Sequence, residues 1–491
     1  MKNKQIAKTI IISGVASLLS YLITFFLTPY ITENIGIEAY GFVTLSKTVV
    51  GYVDIIMTAL TAFIVRYISV AFHKNRLDEA RSYYSSSIIA CLILSLFILF
   101  TAIIITLKLD HILNIPNPLV CSVKILFLLV FVNFFIVTLN VPLSAFAYIK
   151  NRLDITGIIK IIGCCVEALV LVILVFLCPL NIWFEGMGIL SASIVILICT
   201  IICNKKFLPE LYFKKKNVEW NKIRTLFKAG SWNSLNSLGN TLNSGLDLII
   251  SNAFLSGTAT GQIAIAKTLG GMLQTIFIVI AQSFQPQLLK SYSSNEKDDF
   301  LKDIKKAMAF CGMFANIVFA GFVSLGKIYY KLWIPNENTQ LIDILTVITI
   351  ANYVTDGLLQ PVYYVNTITV KNKMPCLITI IGGILNICGM LILIEKTNWG
   401  AYAIVSTTAA IMLIINLLFN PIYVAKILNI KCSEIYSVIV MDIVSCILMV
   451  IIFALIERLI SPEGWIMLIV SAAVMFCIGC IIHVLVMHRY R

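Results

Sequence analysis

The strongest constraint on this chain is a succession of about 14 apolar stretches, each close to the roughly 20 residues a helix needs to cross a bilayer. They fall at 9–31, 40–67, 85–107, 118–142, 157–180, 184–203, 228–254, 260–287, 306–326, 339–365, 376–395, 400–423, 434–456 and 464–487. The expected fold is therefore an all-α polytopic membrane protein. Only 12% of the 491 residues are charged and 59% are hydrophobic, whereas soluble domains carry about 25% charge and roughly 45–50% apolar residues. Lipid is the solvent for most of the chain, and the connectors are too short for an aqueous catalytic domain. That excludes most enzyme classes.

A net charge of +13 would suggest nucleic acid in a soluble protein. Here the distribution of Lys and Arg explains it, because cytoplasmic loops of membrane proteins collect basic residues. On alternate sides of the spans the counts are about 29 and about 5, with the N-terminus on the richer side. Both termini are expected in the cytoplasm, and nucleic acid is not an expected partner. The expected organisation is an N-terminal lobe (1–204), a basic cytoplasmic linker containing Phe213-Lys-Lys-Lys-Asn (205–227), a C-terminal lobe (228–424) and two accessory spans (425–491).

Three basic residues stand inside or at the edge of spans: Lys47, Lys124 and Lys267. A charge there is costly unless it faces water or a partner. Two of the three belong to an internal repeat. Shifting the chain by 220 residues superposes Gly41-Phe-Val-Thr-Leu-Ser-Lys47-Thr48-Val-Val-Gly51 on Gly261-Gln-Ile-Ala-Ile-Ala-Lys267-Thr268-Leu-Gly-Gly271. The same shift superposes Ser13, Ser17, Ser20 and Thr24 on Asn233, Ser237, Asn240 and Ser244, each row lying on one helical face. The small hydroxyl row suits either close helix packing or a polar cavity. The row in the seventh span is more polar: Asn233, Asn236, Asn240 and Asn243, with Asp247 beyond, are too polar for a lipid face and match sugar hydroxyls as hydrogen-bond partners.

Lys47 and Asp54 stand seven residues apart on one face, as do Lys267 and Gln274. An ion pair is thus open to Lys47 but not, by this spacing, to Lys267, which is the stronger candidate for an anionic ligand. Asn352, Asp356 and Gln360 form another polar face beside Pro361. Lys124 lies near the outer end of the fourth span. Asp54, Glu167, Asp247 and Asp356 are the candidate sites for ion coupling, while Glu167 and Asp442 equally suit structural pairing.

Catalytic and cofactor motifs are missing from the sequence. Both repeat copies fall one residue short of the phosphate-binding loop G-x4-G-K-T, with Ser46 and Ala266 where its second glycine belongs, and no strand precedes them. Cys477 and Cys480 have no second pair or neighbouring histidine to complete a metal site. No cofactor or metal is expected.

The segment Pro29-Tyr30-Ile-Thr-Glu-Asn-Ile-Gly36-Ile-Glu-Ala-Tyr40-Gly41, followed by Arg76-Leu-Asp78-Glu79-Ala80, resembles the polysaccharide flippase family, whose members translocate undecaprenyl-diphosphate-linked oligosaccharides. That family shares a superfamily with multidrug and toxic compound extrusion transporters and with the lipid II flippase. The resemblance implies two six-helix lobes around a cavity that opens alternately to either side. It also implies that Lys47 and Lys267 match cationic cavity positions on the second and eighth helices of the lipid II flippase, and that spans 13 and 14 help to hold a lipid tail. That relative's basic residues on the first helix have no counterpart, Ser13, Ser17 and Ser20 standing there instead, which argues for a different headgroup. Polymerase and chain-length proteins are the implied partners. A cation-coupled multidrug exporter is the first rival reading, although the acidic residue used by one multidrug branch on its first helix is absent between Lys8 and Glu33. A membrane glycosyltransferase or polymerase is the second.

Overall fold

A computed structural model describes residues 2–61, 63–293, 297–369 and 371–488. Among these residues the secondary structure is helical with no strand. The chain divides into two compact units: residues 1–241 with 256–261, and residues 242–255 with 262–491.

The first unit is built on α1 (Lys2–Asn34), α2 (Ile37–Thr61), α3 (Ile64–His73), α4 (Leu77–Leu107) and α5 (Leu109–Ile112). It continues with α6 (Val120–Leu143), α7 (Ala145–Ile149), α8 (Leu153–Leu177), α9 (Trp183–Phe207) and most of α10 (Trp220–Ser244). The second unit contains α11 (Asp247–Phe254), the greater part of α12 (Gly257–Gln282), α13 (Gln285–Ser293), α14 (Lys297–Trp333) and α15 (Thr339–Ile368). Beyond these lie α16 (Lys373–Lys396), α17 (Ala401–Ile414), α18 (Asn420–Leu428), α19 (Cys432–Ile460) and α20 (Trp465–Val486).

Among the described residues, 13 helical segments are long and apolar enough to cross a membrane, and each coincides with an expected span. The remaining expected span, 228–254, is occupied by α10 and α11, which break at Gly245-Leu246. Its asparagines keep it below the hydropathy of its neighbours. Large side chains such as Phe176, Leu459 and Ile466 stay at least 80% exposed, an orientation that only lipid makes favourable.

Within the first unit, α8 packs on α9 and α1, and α6 on α4 and α9. Glycines make these approaches close: Gly157 faces Ile12, Gly163 faces Ile196, and Gly186 faces Leu129, as expected where helix association in lipid rests on van der Waals contact. Repeat-equivalent residues also meet inside this unit. A Cβ on Gly41 would lie 2.9 Å from the backbone nitrogen of Gly261, and Thr258 donates to Glu38 Oε1 at 2.6 Å across the same 220-residue interval.

The basic linker is anchored on α4. Leu208 and Leu211 are buried in the core beside Tyr83 and Tyr84, Ser82 donates to Glu219 Oε1 at 2.7 Å, and the Glu219 amide donates to Ser86 Oγ at 2.9 Å. Arg81 Nε binds the Glu210 carbonyl at 2.9 Å while its guanidinium covers Tyr212. The Lys214 ammonium, donating to the Tyr212 hydroxyl, holds that phenol below its usual range.

Candidate functional site

Lys47 sits on α2, where its ammonium reaches Glu185 Oε1 at 2.5 Å. Glu185 comes from the first turn of α9 and its side chain is only 5% exposed, against 43% for Lys47. The second oxygen, Glu185 Oε2, is buried with no hydrogen-bond partner among the described residues. Glu167 of α8 lies within Coulombic reach of both charges. It packs at Gly188, one turn beyond Glu185 on α9, where a Cβ would stand 3.4 Å from Glu167 Cγ. The α2–α8–α9 seam thus gathers one ammonium and two carboxyl groups. Asp54 is exposed and its backbone carbonyl accepts from Thr58; the acid that meets Lys47 is Glu185, not Asp54.

Lys267 also has an acidic partner, contrary to what its spacing from Gln274 implies. Asp247, the first residue of α11, accepts from the Lys267 ammonium at 2.6 Å, with side chains 3% and 15% exposed. The break at Gly245-Leu246 turns Asp247 off the asparagine row of α10 and toward α12, a geometry that helical spacing alone does not reveal. Thr408 of α17 donates to Asp247 Oδ1 at 3.3 Å, and Asn386 of α16 donates to Thr408 at 3.1 Å. Asn386 also donates to the Asn243 carbonyl at 2.9 Å, in the last turn of α10, where carbonyls lose their helical donors.

The asparagine row divides between roles. Asn243 is buried and donates to the Thr379 carbonyl at 2.6 Å, tying the end of α10 to α16, whereas Asn240 is exposed. The side chains of Asn233 and Asn236, like that of Ser13, lie outside the described residues.

Gln274 turns to α15, where it donates to Asp356 Oδ2 at 3.4 Å, and Gln360 donates to the same oxygen at 2.9 Å. Asn352, on the same helix, is buried and its Oδ1 has no hydrogen-bond partner among the described residues. One turn beyond Gln360, Tyr363 donates to Asn416 Oδ1 at 2.9 Å. Asn416 lies in a five-residue π-helical segment, Ile415–Phe419, that separates α17 from α18; such bulges often re-aim side chains at functional sites.

Lys124 is accounted for locally. It pairs with Asp110 at 2.8 Å and donates to the Leu107 carbonyl at 2.9 Å, clasping the end of α4 to α6. Its hydrogen bond holds the Asp110 carboxyl below the usual carboxylate range.

The second unit also holds an apolar cavity of about 320 Å³. Leu273 of α12, Ile317, Gly321 and Phe322 of α14, Phe453 of α19 and Phe476 of α20 line it.

Residues 6–291 match the family described as "Polysaccharide biosynthesis protein". A Bacillus subtilis (strain 168) protein named "Uncharacterized membrane protein EpsK" is 27% identical over 418 residues, covering 85% of this chain and 82% of that protein. Among solved structures, an inward-facing multidrug resistance MATE family transporter of the MOP superfamily aligns with a TM-score of 0.68 at 13% identity, covering 85% of this chain and 98% of its own. The lipid II flippase MurJ in an inward closed conformation aligns with a TM-score of 0.60 at 13% identity, covering 93% and 98%. At such identities the likeness speaks to the fold alone, which resembles that of these two membrane proteins. The apolar helices and these relatives make the chain a multi-pass membrane protein. With the family match extending over more than half of its length, the chain belongs to the polysaccharide biosynthesis protein family.

Proposed function

We propose that this protein is a flippase that moves a polyprenyl-diphosphate-linked oligosaccharide from the cytoplasmic to the outer leaflet of the bacterial cytoplasmic membrane, with both of its termini in the cytoplasm. The observation that carries this reading is the pair of repeat-equivalent lysines, Lys47 and Lys267, each held in place by a helix-borne carboxylate. A preset ammonium group in each unit suits a phosphate oxygen, whose charge-assisted hydrogen bonds compete with those from carboxylates. Asn240 and Asp356, with Asn233 and Asn236, supply amide and carboxyl partners for sugar hydroxyls. The apolar cavity between α12, α14, α19 and α20 suits part of the polyprenyl tail, the rest remaining in lipid. Alternating access then carries the headgroup across.

This assigns transport rather than catalysis to the chain, with polymerase and chain-length proteins as downstream partners. Reconstitution into proteoliposomes with a polyprenyl-diphosphate-linked oligosaccharide tests it. Lectin accessibility of the sugar on the far face is expected to rise with the protein and to stay at the background of empty vesicles without it. Equal accessibility in both overturns the reading. The fold likeness to a multidrug MATE transporter supports the rival, which predicts altered resistance to cationic drugs on deletion, with glycan export intact.

A further inference from the structure

The segment joining α9 to α10 is pinned at one level of the membrane. Its Lys214 amide donates to Ser85 Oγ at 3.2 Å and its Glu219 amide to Ser86 Oγ at 2.9 Å. Both serines are buried and open the apolar stretch 85–107 of α4. The short 3-10 turn between those amides, Lys215–Asn217, is therefore held where the hydrocarbon core gives way to headgroups. The segment exposes Phe213 (46%) and Trp220 (69%), together with Lys214, Lys215 and Lys216. Trp220 begins a row on α10 with Arg224 and Lys228, all exposed and four residues apart, while Ile223 and Leu226 between them are buried.

The acids nearby are occupied. Glu219 Oε1 accepts from Ser82 and Glu210 pairs with Lys150 at 4.0 Å, which engages both acids of residues 205–228 within the unit. At the head of α4, Asp78 pairs with Arg81, and Glu79 with Arg76 and Lys222. Basic side chains interleaved with an exposed indole and phenyl ring match a boundary that is anionic on its outer side and apolar on its inner side. An acidic protein surface answers the charge but gives the two rings at headgroup level no apolar layer to enter. We propose that residues 213–228 bind the headgroups of anionic phospholipids in the leaflet they face. Lys215, Lys216, Arg224 and Lys228 meet the phosphate oxygens, while Trp220 and Phe213 enter the glycerol and upper acyl region. The surface uses none of the residues around Lys47 or Lys267 and takes membrane lipid rather than transported cargo, so it stands independently of the flippase reading.

The full-length chain in phosphatidylcholine nanodiscs tests this, with brominated lipid as the probe. Quenching of Trp220 is the difference between wild type and Trp220→Phe, which removes the indole but keeps a ring. Brominated phosphatidylglycerol is expected to quench Trp220 at a lower lipid fraction than brominated phosphatidylcholine. Arg224→Gln should raise the phosphatidylglycerol fraction needed for half-maximal quenching by about fivefold, the scale of one basic residue at an anionic surface. The combined variant Lys215→Gln/Lys216→Gln/Arg224→Gln/Lys228→Gln should erase the preference, and raised salt should weaken it. Lys215→Arg/Lys216→Arg/Lys228→Arg should keep it. Equal quenching by the two lipids, a preference that survives the combined Gln variant, or no quenching of Trp220 by either lipid overturns the proposal. Relief of the quenching by equimolar polyprenyl diphosphate or by inorganic pyrophosphate also overturns it, and assigns the surface to cargo or to soluble phosphate.

Discussion

Removing either partner of the Asp247–Lys267 pair leaves a charge in a nearly closed site. The side chains are 3% and 15% exposed, so solvent screens the survivor weakly. Breaking a buried pair from one side costs about 3–5 kcal/mol, whereas removing both charges together is often close to neutral. Asp247→Asn keeps the contact with Thr408 but confronts Lys267 with an amide. Lys267→Met keeps the volume but strands Asp247. For a cooperative unit of this size, about 2 °C of melting temperature accompanies each kcal/mol, so each single variant is expected to melt about 6–10 °C lower. The double variant should recover most of that loss. The assay is thermal unfolding of the detergent-solubilised chain followed by tryptophan fluorescence, with all four members of the cycle in one buffer. Costs that add to within about 0.5 kcal/mol would refute the pairing, since uncoupled sites behave that way.

Other consequences are open to simpler tests. Gly261→Val places a branched side chain against the Ile37 carbonyl and backbone; because backbone cannot rotate aside, monodisperse protein in size-exclusion chromatography is expected to fall sharply, while Gly271→Val, with open space at its Cβ position, should be tolerated. Gly321→Leu fills the apolar cavity where a Cβ meets nothing within 4 Å, so stability in thermal unfolding should hold or rise, by about 0.5–1 kcal/mol from helix propensity alone, while transport of the long-tailed substrate falls. The Lys124 clasp depresses the Asp110 carboxyl, so its contribution is present at neutral pH and is lost as pH falls through the depressed value. Melting curves of wild type and Asp110→Asn should therefore differ at neutral pH and converge in acid.

Hydropathy was enough for thirteen of the spans because lipid demands long apolar helices. It underrates 228–254, whose place shows through the repeat, since Asn233 and Asn240, two of the asparagines that lower its hydropathy, align with Ser13 and Ser20 of the first span. The lysines are legible for the same reason. Their acidic partners are not. Glu185 lies 138 residues from Lys47, and its repeat counterpart is Val405, so neither helical spacing nor the repeat points to it; the available signal was an unexplained acid at the head of an apolar span. Asp247 was visible as a polar residue, but its pairing with Lys267 depends on a two-residue break between helices. The row Asn240 to Asn243 also looks uniform in sequence, although burial separates an exposed amide from one that binds α16. The basic linker resembles a membrane-surface segment by charge, and only the burial of Leu208 and Leu211 shows it docked on α4.

The central claim is that Lys47 and Lys267 contact an anionic headgroup rather than merely hold helices together. The most direct measurement is surface glycan export, normalised to protein abundance, in the paired variants Lys47→Ala/Glu185→Gln and Lys267→Ala/Asp247→Asn, which remove each lysine together with the buried charge it answers. Normal abundance with export lost in both, and partly kept in Lys47→Arg and Lys267→Arg, is the predicted result. Wild-type export from both paired variants at wild-type abundance would contradict it and leave the lysines with a structural role alone.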